Sequence, residues 1–261
     1  MKVDSPDVNG GNETMRISYC ENASSTRIEH NKKKMLYPEI RIPSSVKEID
    51  EFSGGFKAGQ MSWVSGTSSL IKRLPYQLCV NTVETFQSDT LFIDGGSNVN
   101  PYHLSMLAKQ KEQNIAAVLD HVHISRAFTV HQLSSLITEQ MEPVIKQYHP
   151  QTVILNDFPT LFFDPDVSFH ESQVLLKSVL STIQRLTKQY QLVSVLTFQH
   201  SSVQQQTNHL LSLVQERADE ILQMNTLHNC TRIVFPKKNK MAMVIDDVFG
   251  QLSLMDFGMV I

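Results

Sequence analysis

Ser65 to Arg73 reads S-G-T-S-S-L-I-K-R, and a short apolar run, Met61-Ser-Trp-Val-Ser65, leads into it. Behind it, Leu70 to Phe86 places Leu70, Leu74, Leu78 and Val83 at helical spacing. Strand, tight turn and helix in that order bring backbone amides to a helix N-terminus, where they can face an anion. The phosphate-loop template G-x-x-x-x-G-K-[ST] sets Gly66 on the first glycine and Lys72 on the lysine. It also sets Ile71 on the second glycine and Arg73 on the hydroxyl residue. Two of the four fixed positions match, so on its own the stretch also reads as an ordinary turn with solvated charges.

The same alternation continues outward. Thr90-Leu-Phe-Ile-Asp94 reads as a second strand, followed by the Gly95-Gly96 turn and a helix from about Pro101. Val122-His-Ile124 is a short strand and Gln132 to Tyr148 a helix; Thr152 to Leu155 is a fourth strand. Glu171 to Tyr190 is the clearest helix, with Leu175, Val179, Ile183, Leu186 and Tyr190 on one face. Leu192 to Phe198 is a continuously apolar strand. Arg232 to Phe235 and Met241 to Ile245 flank Pro236-Lys-Lys-Asn-Lys240 as a hairpin, and Leu252 to Met255 reads as the last strand. Strands apolar throughout and separated by helices predict a parallel sheet covered on both faces.

Composition narrows the function classes. With 261 residues, 41% hydrophobic and 19% charged, the chain suits a globular domain rather than a disordered one. No run approaches the roughly 18 apolar residues of a membrane span, and the first thirty residues hold no signal-type stretch. The expectation is an intracellular protein of cytoplasm, nucleus or nucleoid, with no membrane partner. Residues 1–36, rich in Asn, Ser, Glu and Lys, read as a flexible polar tail, and 37–261 as the folded domain. Cys20, Cys79 and Cys230 lack metal or disulfide spacing, so no metal site is expected. A net charge of -3 argues against a whole-molecule nucleic-acid binder.

Four further segments carry a family resemblance. Ile49-Asp-Glu-Phe-Ser-Gly-Gly-Phe56 is similar to a Leu-Asp-x-x-x-Gly-Gly-Gly lead-in to a phosphate-loop strand. Phe92-Ile93-Asp94 resembles a strand leading into Thr-Glu-Gly. Ile124-Ser-Arg-Ala-Phe128, then His131-Gln132, resembles an Ala-Arg-Ala-Phe segment with its His-Gln, one residue shorter. Thr197-Phe198-Gln199 resembles a Thr-Asn-Gln sensor-strand end. In this order the segments, over roughly Ile42 to Ile261, resemble the RecA/RadA recombinase family and its RadB-like paralogues. The resemblance implies an α/β RecA-like P-loop NTPase core: a mostly parallel central sheet flanked by helices, with a C-terminal antiparallel hairpin. Each segment has a plainer reading too. Gly54, Gly55 and Gly59 serve as turn residues, Arg126 as a surface arginine, and Gln199 as a polar end to a buried strand.

Measured against that family, the chain departs where phosphoryl transfer needs most. Ile71 brings a β-branched side chain to a position that wants close backbone approach. Arg73 has no acceptor for a metal ion. The resemblance implies a catalytic glutamate two residues after Asp94, and that position is Gly96. Aligning Thr160-Leu-Phe162 puts Asn156 on the metal-associated aspartate, with Asp157 one residue late and so on the opposite face, unless a frayed strand end swings it in. The degenerate nucleotide-binding set is therefore Gly66, Lys72, Arg73, Asp157 and Gln199, with no catalytic residue. No cofactor is expected. Weak ATP binding by Lys72 and Arg73 stands open against plain solvation.

The loops that would meet DNA are poor in charge. Phe163 to His170 holds Asp164 and Asp166 and no lysine or arginine, and His200 to His209 holds no arginine, so DNA contact is expected to be weak or indirect. Lys237, Lys238 and Lys240 read as a solvated hairpin tip. The resemblance then implies a non-catalytic recombinase paralogue in homologous recombination or DNA repair, docked on a RecA/RadA-type recombinase or another paralogue. Leu36 to Ile40 is a candidate linker strand for that docking. The alternatives are a divergent RecA- or KaiC-like ATP-binding protein or ATPase, and a scaffold subunit built from inactive RecA folds.

Overall fold

Gly54 and Gly55 decide how the chain enters its sheet. In the computed structural model, which describes residues 39–200, 209–228 and 230–245, Arg41–Ile42 (β1) pairs antiparallel with Phe56–Lys57 (β2) around the helix Lys47–Ser53 (α1). Gly54 ends α1 with φ +72°, and a Cβ on Gly55 would stand 2.6 Å from the Ile42 carbonyl oxygen. Only glycine lets the two short strands close this tightly. The Ile40 carbonyl accepts a hydrogen bond from the Ala58 amide (2.9 Å). The described end of the expected linker strand is thus paired within its own domain, while Leu36 to Pro38 lie outside the described residues.

The elements then follow the alternation read from the sequence. Gln60–Gly66 (β3) and Leu70–Phe86 (α2) lead to Thr90–Asp94 (β4), Pro101–Gln110 (α3), Ile115–Asp120 (α4) and Val122–Arg126 (β5). Val130–Ser135 (α5) passes through a π turn, Leu136–Gln140, into Met141–Tyr148 (α6). Thr152–Asn156 (β6), Phe169–Tyr190 (α7), Val193–Gln199 (β7) and His209–Arg217 (α8) follow. Glu220–Leu227 (β8), Cys230–Phe235 (β9) and Lys240–Ile245 (β10) close the described fold. Local chemistry sets several helix starts: the side chains of Asn100, Asn114, Thr129 and Ser168 each accept a hydrogen bond from a first-turn amide.

The main sheet runs β10-β9-β8-β3-β7-β6-β4-β5. The strands from β8 to β5 are parallel, and β9 and β10 add the antiparallel hairpin. Alternate residues feed two cores. Met61, Trp63, Ile93 and Leu196 face a layer with Leu133 and Ile137, Val179 and Ile183 of α7, and Val214 of α8. Val64, Phe92, Ile154 and Val195 face Ile49, Leu74, Leu78, Leu104 and Val118, contributed by α1 to α4. The α/β sandwich expected from the pattern is present. No helix among the described residues is long and apolar enough to cross a membrane.

The differences are local. The sequence pattern does not reveal α1, α4, α8 or β8, and Gln132 to Tyr148 is one rod only because the π turn joins two helices. On α7, Leu176 takes the buried position and Leu175 the partly buried one. The first loop is short, a 3-10 turn at Thr160–Phe163 followed by five residues before α7. The polar tail before residue 37, the second-loop residues 201–208 and the strand expected at Leu252 to Met255 lie outside the described residues.

Candidate nucleotide-binding site

In an open parallel sheet the carboxyl ends of the strands form the ligand crevice. Here β3, β4, β6 and β7 deliver Gly66, Asp94, Asn156 and Gln199 to that end in register. The loop after β3 spans Thr67 to Ser69 before α2 starts. Gly66, which leads into it, serves packing against the neighbouring strand. It has φ +144°, and a Cβ there would sit 1.9 Å from the Met224 carbonyl oxygen of β8.

Four amides of this loop and the start of α2 make hydrogen bonds within the domain. The Ser68 amide donates to the Met224 carbonyl (3.1 Å), the Leu70 amide to Ser68 Oγ (3.2 Å), and the Ile71 and Lys72 amides to the carbonyls of Ser68 (3.3 Å) and Ser69 (3.0 Å). Ser68 Oγ also shares a 2.7 Å hydrogen bond with Thr231 Oγ1 of β9. Gln199 closes the loop from the other side, its Nε2 donating to the carbonyls of Thr67 (3.3 Å) and Ser68 (3.1 Å). Ile71 is 2% exposed and packs in the core beneath α2. The side chain that replaces a glycine therefore anchors the loop downward. Lys72 is exposed, and Arg73 is half-buried, with burial drawing its guanidinium below the usual arginine value.

Asp94 organises a buried polar network. It is fully buried and accepts hydrogen bonds from the amides of Gly96 (3.3 Å) and Val99 (3.0 Å), from Arg126 Nε (3.2 Å) and from Asn156 Nδ2 (3.2 Å). Arg126 Nη2 donates to the Val99 carbonyl as well (3.3 Å). This arginine pins the turn after β4, which favours a structural role over the alternative of a plain surface residue. Asn156 Nδ2 also donates to Asn98 Oδ1 (2.7 Å), and its Oδ1 accepts from Thr197 Oγ1 (3.2 Å). An aspartate at 156 would set a second carboxylate against Asp94 where a donor is needed, so the amide suits this network.

Asp157 has swung in. The strand ends at Asn156, and Asp157 takes a left-handed φ of +50°, which removes it from the alternation that would have turned it away. Its amide donates to Thr197 Oγ1 (3.2 Å), and its carboxyl lies over Gly96. A Cβ on Gly96 would stand 2.4 Å from Asp157 Oδ2 and 2.7 Å from Asp157 Cβ. The aspartate thus fills the space in which a glutamate at position 96 would begin. Asp157 Oδ1 is buried without a hydrogen-bond partner among the described residues. Burial pushes its carboxyl above the usual range, and the Asp94 charge adds to that push, against pulls from the Thr160 side chain and the Lys72 charge.

That shift makes a prediction whose sign follows from linkage. A carboxyl with a raised folded-state pKa costs stability while it is ionised, and the cost fades as pH falls through that pKa toward the ordinary carboxylate value. Asp157→Asn is expected to raise the melting temperature at pH 7 by roughly 3 °C, about 1 kcal/mol. The gain shrinks toward pH 4. Thermal melts of both proteins at pH 7 and pH 4 test it; a constant gap would show that the charge is not the cause.

The expected site residues are therefore brought to one end of the sheet but in altered roles. Gly66 packs against β8, Gln199 clamps the loop, Asp157 blocks the Gly96 position, and Lys72 stands exposed at the start of α2. Asn98, Arg126 and Thr197 belong to the same network. Among the described residues no cluster of three or more His, Cys, Asp or Glu is placed to hold a metal. A cavity of about 130 Å³ opens at the other end of β3, by Arg41, Lys57, Gln60, Ser62, Glu220 and Lys238. Its charges are paired, Lys238 with Glu220 (3.0 Å) and Arg41 with Glu39 (2.7 Å).

The family model of Rad51 matches residues 38–247. The chain belongs to the Rad51 family. Membership accounts for the strand order and for the convergence of Gly66, Asp94, Asn156 and Gln199, and it makes the domain a RecA-like core from a recombination-related family. Within a Rad51-family frame the hairpin tip differs from a free basic patch. Lys237 donates to the Ala218 carbonyl, Lys238 pairs with Glu220, and the Lys240 ammonium lies 5.4 Å from the centre of the Phe52 ring.

Proposed function

We propose that this Rad51-family member is a non-catalytic accessory protein of homologous recombination or DNA repair, and that it works by docking on another RecA-fold protein. One observation carries the reading: the Asp157 carboxyl stands in the space of the general base, opposite a glycine that supplies none. Arg73 in place of a metal-ligating hydroxyl and the internally bonded loop amides support it. ATP is not needed to hold this loop, since Gln199 and Ser68 already do so. DNA is a weak or indirect partner, because the first loop carries Asp164 and Asp166 and the hairpin lysines are engaged within the domain.

The opposite margin of the sheet suits a protein partner. Among the described residues β5 pairs only with β4, so its outer edge is available for an added strand. Large apolar side chains stand exposed on and beside it: Ile124 (39%), Phe128 (63%) and Tyr148 (39%). Co-expression with a recombinase of the same cell, followed by size-exclusion chromatography, is expected to give a shared peak at micromolar concentration, with or without ATP. Ile124→Lys with Phe128→Asp should weaken the complex by roughly tenfold or more, the scale of a buried interface anchor. Separate elution under both conditions would remove the accessory reading.

A further inference from the structure

At the amino ends of β3 and β8, opposite the nucleotide end of the sheet, polar residues stand where a core would be expected. Gln60, Ser62 and Val64 alternate on β3, so their side chains share one face, and Val64 lies in the core with Ile49 and Leu74. On β8 Glu220 and the core residue Leu222 share a face in the same way, and Ser62 pairs with Glu220 in register. Around these strand starts a cavity of about 130 Å³ takes the place of apolar packing. Its lining includes Arg41 of β1, Lys57 of β2, Gln60, Ser62, Glu220 and Lys238 of the turn after β9. The space is roughly ten times what one bridging water needs.

Ser62 is 2% exposed, yet its hydroxyl has no hydrogen-bond partner among the described residues, nor has the side-chain amide of Gln60. A buried hydroxyl ordinarily finds one. The side chains of Arg41, Lys57 and Lys238 are each 33% exposed, so the cations form the rim of the cavity and Ser62 its floor. Arg41 is held there by the Ser53 carbonyl, to which its Nη1 donates at 2.8 Å. Three cations meet two carboxylates. Glu39 pairs with both Arg41 and Lys57, and Glu220 pairs with Lys238 through Oε2 at 3.0 Å. One positive charge is left over. The other oxygen of Glu220, Oε1, is buried away from water and has no partner among the described residues. The cavity surface therefore presents donors more than acceptors: ammonium and guanidinium protons, an amide and a hydroxyl. Such a set suits an acceptor-only group.

We propose that this cavity binds a small molecule bearing a phosphate or carboxylate group. The oxyanion sits between Lys57 and Lys238 and accepts hydrogen bonds from Ser62 Oγ and the Gln60 side-chain amide. Bound there, it ties β1 and β2, where the chain enters the fold, to β8 and the hairpin turn. The site lies at the end of the sheet away from Lys72 and Gln199, so its filling does not depend on whether ATP is bound or hydrolysed.

Titration of the isotope-labelled full chain with inorganic phosphate, and separately with acetate, tests this through its amide resonances. Sodium chloride at matched ionic strength is the control. Saturable shifts are expected at Lys57, Gln60, Ser62 and Glu220 with at least one of the two anions, and none at Ser68 to Lys72. Shifts with phosphate alone would make the ligand a phosphate ester, and shifts with acetate alone a carboxylate. Ser62→Ala should weaken binding about tenfold without unfolding the chain, since its hydroxyl makes no contact that the fold needs. Lys57→Gln should weaken it by a similar factor, and unmoved amides of β6 and β7 report that both variants are folded. Equal shifts with chloride, no saturable shift with either anion, or shifts confined to Ser68 to Lys72 would overturn the proposal. So would an affinity that neither variant changes.

Discussion

Gly96→Glu is expected to lower the melting temperature by roughly 6–10 °C, about 3 kcal/mol, and to restore no ATP hydrolysis. The substitution returns the acid that the family resemblance implies at this position, so a merely missing base would be repaired by it. Here the new Cβ meets Asp157 Cβ at 2.7 Å and Oδ2 at 2.4 Å, and a third carboxylate joins Asp94 and Asp157 in a partly buried space. Asp157 must leave for the glutamate to enter. Adding Asp157→Ala should therefore recover about 1–2 kcal/mol of the loss, a coupling that two independent sites would not show. Thermal melts of the two single variants and the double variant measure it. Strict additivity would mean that Asp157 is not what fills the site.

Asp94→Ala should cost roughly 3–4 kcal/mol, because it strands several donors at once in a buried place. The amides of Gly96 and Val99, the Arg126 guanidinium and the Asn156 amide all converge on this carboxylate. Denaturant unfolding measures the loss. Arg126→Ala should cost less, since its side chain is 36% exposed and the acid keeps three donors without it. If the two variants are equally destabilised, the ion pair rather than the network is the structural element.

The sequence made the fold legible wherever burial was complete. Thr90 to Asp94 and Leu70 to Phe86 appear with the ends that pattern suggested, because fully buried strands and a long two-sided helix leave continuous apolar signals. β8 was not visible: the half-buried polar residues Gln223 and Asn225 interrupt its buried ones, and the strand matters mainly through long-range pairing with β3. At the site, residue type alone set Ile71, Arg73 and Gly96 apart from the template, but the contacts around them were not readable. A left-handed turn at Asp157 accompanies the hydrogen bond from the Phe158 amide to the Thr197 carbonyl (3.0 Å); the one-residue offset left a swung-in Asp157 open without deciding it. Arg126 and Asn156 similarly acquire their roles from Asp94, which lies 32 and 62 positions away in the chain.

Steady-state ATP hydrolysis by the purified full chain, with and without single-stranded DNA, tests the central claim most directly. The proposal rests on glycine at 96, arginine at 73 and the hydrogen-bonded amides of Ser68, Leu70, Ile71 and Lys72. Phosphate release is expected to equal the enzyme-free blank, unchanged by DNA and unchanged by Lys72→Ala. A rate above the blank that disappears on Lys72→Ala would contradict the claim, and would make the chain an active Rad51-family ATPase with an unusual site.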